Sequence, residues 1–324
     1  RSGRAWLVDP LAGHDLGPLF GLLSARRLLL HGADYDLRLL SRGYGFSPRE
    51  IFDTMLAAQL LGQKEIGLAA LLSGRLGVTL DKTSQRADWS RRPLTPTLLT
   101  YAAADVLHLH ALVALVEADL SARGRLEWHA EECARLLSQD LSPAPEDPET
   151  DWRIKGSNAL SAKERAFLRE LWSAREERAR ALDLPPFRVL HNETLLSLAR
   201  KAAAGEQDVA TLFPRPVPAG FAGRLREALE TASALPPTAW PPARRGEIVR
   251  PEPELEKAVY ALKGRRDAVA VRLGLDPGVL ASRATLVDIA RAELAARASL
   301  APADLVATTR LSRWKAELLA GARS

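Results

Sequence analysis

LTPTLLTYAAADVLHLHAL, residues Leu94 to Leu112, decides how the chain is read. Thr95 followed by Pro96 marks a helix start, a hydroxyl cap and then proline at the first helical position. Helix formers follow, with apolar residues recurring at three- and four-residue spacing. Two groups in this apolar run do not belong on a core face, Tyr101 and Asp105. Four residues apart, they share one helix face and lie roughly 6 Å apart along its axis. Aspartate is seldom buried without a partner. On the pair alone the plainer interpretation is a locally bonded Asp105 and a half-buried Tyr101.

The flanks shift that balance. LGVTLDKTSQRADWSRRPLTPTLLTYAAADVLHL, Leu76 to Leu109, resembles the third exonuclease motif of the ribonuclease D family. These are 3′-5′ exoribonucleases of the DEDD type, whose metal ligands are four carboxylates. The resemblance implies that Tyr101 is the motif's tyrosine and Asp105 its last aspartate. Related exonucleases carry histidine five residues before that aspartate. Thr100 stands there in this chain, so the tyrosine branch is the one matched. Within the same run, Lys82, Arg86, Arg91 and Arg92 surround Trp89. Lys82, Arg86 and Trp89 suit an RNA strand through phosphate pairing and base stacking, and equally suit a solvated loop around a structural tryptophan.

Upstream, Ala5 to Asp9 reads as a short strand ended by Pro10, and Leu16 to Ser24 as a helix packed through Leu19, Phe20, Leu22 and Leu23. Arg27 to Leu30 is a second strand. It runs straight into HGADYDLRLL, His31 to Leu40. A buried strand feeding a helix puts the junction on the sheet rim, where α/β proteins hold ligands. Leu37, Leu39 and Leu40 supply the apolar contacts of that helix. The segment resembles the family's second exonuclease motif, which implies that Asp36 is a metal ligand. Asp34 is read as stabilising the helix N-terminus. Ile51 to Leu61 reads as a strand turning into a helix, with Asp53 as its cap. Gly67 to Leu72 and Leu126 to Leu137 are further helices.

The family's first motif, Asp-x-Glu, does not occur in the first 30 residues, and the chain starts at Arg1. The expectation is therefore a chain that begins after the first strands of its domain, with two of four ligands missing. The sheet should be incomplete, and the chain as given inactive.

From Ser157 the sequence is helical and self-similar. VLHNETLLSLAR, Val189 to Arg200, recurs as VLASRATLVDIAR, Val279 to Arg291, each after an arginine-rich helix and an LDLPP or LGLDP turn. Leu171 to Arg200 resembles the HRDC domain, a helical module that implies nucleic-acid binding. The expected organisation is an α/β ribonuclease H-like exonuclease domain with an incomplete mixed sheet over 1–141, then two all-α HRDC-type domains at 155–235 and 254–324. Proline-rich linkers at 142–154 and 236–253 separate them.

Composition bounds the class. With 324 residues, 47% hydrophobic and 26% charged, the chain reads as a globular protein of two or three domains. No apolar run approaches the length of a membrane span, and no signal peptide is visible. A single cysteine, Cys133, excludes an intramolecular disulfide and suits a reducing cytoplasm. Histidines lack zinc spacing. Residues 1–143 carry 16 basic and 16 acidic side chains, whereas 155–246 carry 15 against 10 and 247–324 carry 13 against 10. That positive excess points to a polyanion.

The resemblance thus implies an exoribonuclease using two divalent metal ions, Mg2+ or Mn2+, held in part by Asp36 and Asp105, with Tyr101 positioning the attacking water. Its partner would be RNA, tRNA precursors above all, trimmed by a cytoplasmic monomer without membrane contact. Two alternatives stand beside it: a catalytically dead RNA-binding protein on the same scaffold, and a DNA-directed 3′-5′ exonuclease.

Overall fold

The computed structural model describes residues 4–81, 83–139, 147–206, 208–213, 217–243 and 252–321, with the side chain of Arg86 also outside the description. Two compact units result, one from residues 1–143 with 251–324 and one from 144–250.

The first unit starts without regular structure. Ala5 to Asp9 is not a strand. A strand needs a ladder partner, and this segment has none among the described residues. Trp6 is 82% exposed, and Asp9 instead caps a short turn through the Leu11 N–H and pairs with Arg92 at 2.6 Å. Helix α1 (Gly17–Ser24) follows. Its Phe20 stacks on Phe46 at 4.7 Å, while Leu22, expected in the core, is exposed. Strand β1 (Arg27–Leu30), helix α2 (Ala33–Tyr44), strand β2 (Glu50–Asp53) and helix α3 (Thr54–Leu60) form a βαβα run. The strands pair in parallel, Leu28 opposite Ile51 and Leu30 opposite Asp53. Among the described residues this is the whole sheet, two parallel strands, in keeping with the incomplete sheet expected. Leu37 of α2 is buried, and Leu39 turns out to face solvent.

Helix α4 (Leu68–Leu76) leads to the Leu94–Leu112 stretch, which forms two helices, not one. Helix α5 (Pro96–Leu107) is capped by the Thr95 hydroxyl, and α6 (Leu109–Ala122) restarts after His108. By length and hydropathy alone Pro96–Ala122 would suffice to cross a membrane, which corrects the expectation that no apolar run reaches that length. In this fold its second half, α6, is a core element, while Leu98 is the one buried residue of α5. Leu112, Val116 and Leu120 of α6 are fully buried, and α6 packs on α3, α4 and β1. Helix α7 (Leu126–Leu137) covers β2 and α3.

The second unit holds α8 (Ala162–Leu182), α9 (Pro186–Val189), α10 (Asn192–Ala203), α11 (Val209–Leu212) and α12 (Ala219–Ala234). A capping box of Ser161 and Glu164 starts α8. Trp152, expected within a linker, is 1% exposed and belongs to this unit's core with Phe167, Leu171, Leu195 and Leu225. Residues expected in the following linker also pack here. The carbonyls of Pro241 and Pro242 accept from Arg165 and Arg153.

The C-terminal helices of the first unit repeat that plan: α13 (Pro253–Leu273), α14 (Pro277–Leu280), α15 (Arg283–Ala296), α16 (Pro302–Thr309) and α17 (Arg313–Gly321). Both α8 and α13 have 21 residues and end in a left-handed cap, Asp183 and Gly274. Arg175 donates to the Leu190 carbonyl, and Arg266 donates to the Ala281 carbonyl across the same 15-residue separation. The sequence repeat is therefore a structural one.

Candidate active site

Parallel pairing brings the carboxyl ends of β1 and β2 side by side, and each end runs directly into a helix. Asp53 fastens both. Its carboxylate accepts from Met55 N–H at 2.8 Å, capping α3, and from Gly32 and Ala33 N–H at 2.9 and 2.8 Å, holding the start of α2. The side chain is 2% exposed. Gly32 adopts a left-handed conformation at φ 72°, which lets the chain turn from strand to helix beneath Met55. Asp53 is thus the cap expected from sequence, and it also anchors the neighbouring helix, which only the tertiary pairing reveals.

That anchored helix presents Asp36 to a cavity of ≈ 500 Å³, lined also by Tyr101 and Asp105 from α5, and by His31, Asp81 and Gln85. The structure therefore brings together the three residues singled out from two separate sequence motifs. Neither Asp36 nor Asp105 has a hydrogen bond or an ion pair with any described residue. Desolvation raises the pKa of both carboxyls, and the charge of Asp53 adds to the effect at Asp36. Desolvation also raises the Tyr101 pKa, with Asp105 and Asp81 contributing, so its hydroxyl stays protonated. The ring of Trp89 lies 5.8 Å from that of Tyr101. Lys82 lies outside the described residues, and so does the side chain of Arg86. Two other cations of the loop are already engaged, Arg91 with Asp88 and Arg92 with Asp9.

His31 and Asp81 escaped the sequence reading. His31 is half-buried at the end of β1, with Nδ1 2.9 Å from the Thr54 hydroxyl. Asp81 is turned to its own loop, where the Thr83 N–H and hydroxyl bond its carboxylate at 2.8 and 2.9 Å and lower its pKa. A rim position after a strand was the signal for His31; nothing local marked Asp81.

Hard divalent cations take oxygen ligands, so two unpaired carboxylates on one cavity are donors of the right kind. They are too few. Among the described residues no three His, Cys, Asp or Glu side chains are gathered closely enough to hold an ion. Asp36 and Asp105 do not by themselves make up such a site. A larger cavity of ≈ 710 Å³ in the same unit contains Glu132. That carboxylate is already saturated by Ser312, Trp314, Lys315 and Arg135.

Comparison with known proteins identifies the family. A 3′-5′ exonuclease family model matches residues 1–120, and an HRDC domain model matches residues 164–215. The ribonuclease D of Nitrobacter hamburgensis is 39% identical over 67% of this chain and 57% of its own length. The ribonuclease D of Pseudomonas paraeruginosa is 34% identical over 86% of this chain and 74% of its own. The chain thus spans little more than half of the first relative and about three quarters of the second. The crystal structure of Escherichia coli RNase D, described as an exoribonuclease involved in structured RNA processing, superposes with a TM-score of 0.67. It shares 29% identity and covers 97% of this chain and 83% of that one. Exonuclease and HRDC modules in this order, with such identity over most of a ribonuclease D, place the chain in its family: it belongs to the ribonuclease D family.

Proposed function

We propose that this chain carries part of the active site of a 3′-5′ exoribonuclease, which removes nucleotides from RNA ends by hydrolysing the terminal phosphodiester. One observation carries the reading. Asp36 and Asp105, from separate helices, line one cavity with Tyr101, and neither carboxylate is used by the fold. The two aspartates are ligands for divalent cations, Mg2+ or Mn2+, and further oxygen ligands must join them. Two such ions, when bound, activate a water and stabilise the leaving oxygen. Tyr101, protonated at neutral pH, orients that water through its hydroxyl. A phenol whose pKa burial raises from its ordinary value is too weak an acid to shuttle the proton itself. Trp89 beside Tyr101 offers a face on which a terminal base can stack.

The substrate in this reading is the 3′ end of a structured stable RNA, a tRNA precursor, processed by a monomer in the cytoplasm. The positive excess in 155–246 gives the HRDC segment a role in holding the polyanion. By itself the 324-residue polypeptide should hydrolyse RNA too slowly to detect. Two carboxylates leave each ion mostly in water, and losing one transition-state charge stabiliser already costs roughly a hundredfold or more in rate.

The test uses the protein as its gene encodes it, with 5′-labelled single-stranded RNA and Mg2+. A ladder of shortening products is expected, abolished by EDTA and by Asp36→Asn or Asp105→Asn. Tyr101→Phe should slow turnover with little change in RNA affinity. Normal turnover in Asp105→Asn sinks the assignment, and degradation of DNA in preference to RNA sinks the substrate.

A further inference from the structure

His31 directly follows β1, ahead of the turn into α2, and is among the residues that line the cavity with Asp36, Tyr101 and Asp105. Its hydrogen bonding fixes its tautomer. The Thr54 hydroxyl lies 3.1 Å from the Leu30 carbonyl and 2.9 Å from His31 Nδ1. A carbonyl oxygen can only accept, so the single Thr54 proton is directed to Leu30. The hydroxyl oxygen then accepts from Nδ1–H. Nε2 is left as a bare lone pair, with no hydrogen-bond partner among the described residues. Burial disfavours the imidazolium, and the opposing influence of Asp53 is the smaller. The cavity thus offers two kinds of acceptor. The carboxylates suit cations, and the neutral imidazole suits an O–H or N–H donor.

We propose that His31 Nε2 accepts a hydrogen bond from the 2′-hydroxyl of the 3′-terminal ribose and so distinguishes RNA ends from DNA ends. The inference rests on the exoribonuclease reading of this cavity. Among the donors of a terminal nucleotide, the N–H groups of the base change from one base to the next. The ribose hydroxyls do not, and an acceptor held in one place by Thr54 suits an invariant donor. Of the two hydroxyls, the 2′ is the one by which a protein tells RNA from DNA. His31 is in this sense a specificity residue beside the reacting atoms, built into the sheet end and not into a loop.

The experiment measures binding, so it does not depend on turnover. The full gene product is titrated in Ca2+ against fluorescein-labelled ten-residue RNAs ending in ribose, 2′-deoxyribose or 3′-deoxyribose. Wild type should bind the ribose and 3′-deoxy ends about tenfold more tightly than the 2′-deoxy end, the worth of one hydrogen bond. His31→Leu should bind all three alike, at the wild-type affinity for the 2′-deoxy end. His31→Gln, whose amide oxygen can accept, should recover part of the preference. A preference that survives in His31→Leu, or one that follows the 3′-hydroxyl, overturns the proposal while leaving the exoribonuclease reading intact. Failure to bind any of the RNAs overturns both. Should His31→Leu not fold, wild type alone still decides, since equal affinity for ribose and 2′-deoxy ends refutes the role.

Discussion

At the scale of single residues, Asp36 and Asp105 weaken the fold they sit in. Each carboxyl has its pKa raised by burial and lacks a compensating partner. A raised carboxyl pKa adds stability only below the unfolded value near 3.8, and this is lost as pH rises through the folded value. At neutral pH both groups are therefore ionised against their surroundings. Asp105→Asn should raise the melting temperature by about 1–3 °C at pH 7 in EDTA, while removing activity. The gain should shrink as pH falls through the raised folded value and vanish below the unfolded value near 3.8, where the carboxyl is protonated in both states. A lower melting temperature at pH 7 would show that Asp105 is structural. The positions of these residues were legible in the sequence for simple reasons. Tyr101 and Asp105 share a helix face by their spacing, and Asp36 follows a short apolar strand. The second role of Asp53 was not legible, because it depends on which strand lies beside which; Asp81 had no local mark, and His31 had only its place after a strand.

At the scale of elements, the site depends on the two strand-to-helix junctions that Asp53 ties together. Four N–H groups, of Gly32, Ala33, Met55 and Leu56, converge on one buried carboxylate. The Asp53 carbonyl is held in turn by His129 Nε2 at 2.9 Å. Asp53→Ala removes a cap and leaves buried donors unpaired, at a cost of about 2–4 kcal/mol. Asp53→Asn keeps one acceptor oxygen and should cost about half as much. Denaturant titration measures the loss, and exonuclease assays should show α2, and with it Asp36, displaced in both variants. Unchanged stability in Asp53→Ala would refute the clamp. The helices were readable at this scale because their hydrogen bonds are local. Thr95 and Pro96 mark the start of α5 in any context. Strands are different. Ala5 to Asp9 has the right residue types, but a ladder is made by a neighbour, and Asp9 found Arg92 instead.

At the scale of the molecule, the two helical repeats share a plan and differ in what closes their cores. Among the described residues, the buried hydrophobic core of the 144–250 unit runs from Trp152 to Ala232. The C-terminal repeat has a small core of its own around Leu255, Leu262 and Leu286. Its Val269, Leu275, Leu280 and Trp314, however, are buried together with Phe52, Leu72 and Leu112 of the exonuclease segment. Trp314 stacks on Trp128 at 4.4 Å, and Arg125 bridges the carbonyls of Leu60 and Leu273. The sequence repeat suggested two helical domains able to stand alone. It could not show that the second copy had given one face to its neighbour, since the same apolar spacing serves either core. Removing that neighbour exposes four large side chains worth roughly 1.5–3 kcal/mol each. A helical unit of this size has only about 3–5 kcal/mol to lose. The fragment 144–250 should therefore melt cooperatively as a monomer, while 251–324 alone should show helix without a cooperative transition. Gly62 gives the same test in the intact chain. It sits at φ +72°, and a Cβ there would lie 1.9 Å from the Gly274 carbonyl. Gly62→Ala must push α13 and α14 away, lowering stability by more than about 2 kcal/mol and loosening the Trp128–Trp314 stack. Near-ultraviolet circular dichroism reports the stack and denaturant titration the stability. A cooperative melt of 251–324 together with a silent Gly62→Ala would mean that the C-terminal repeat stands on its own core.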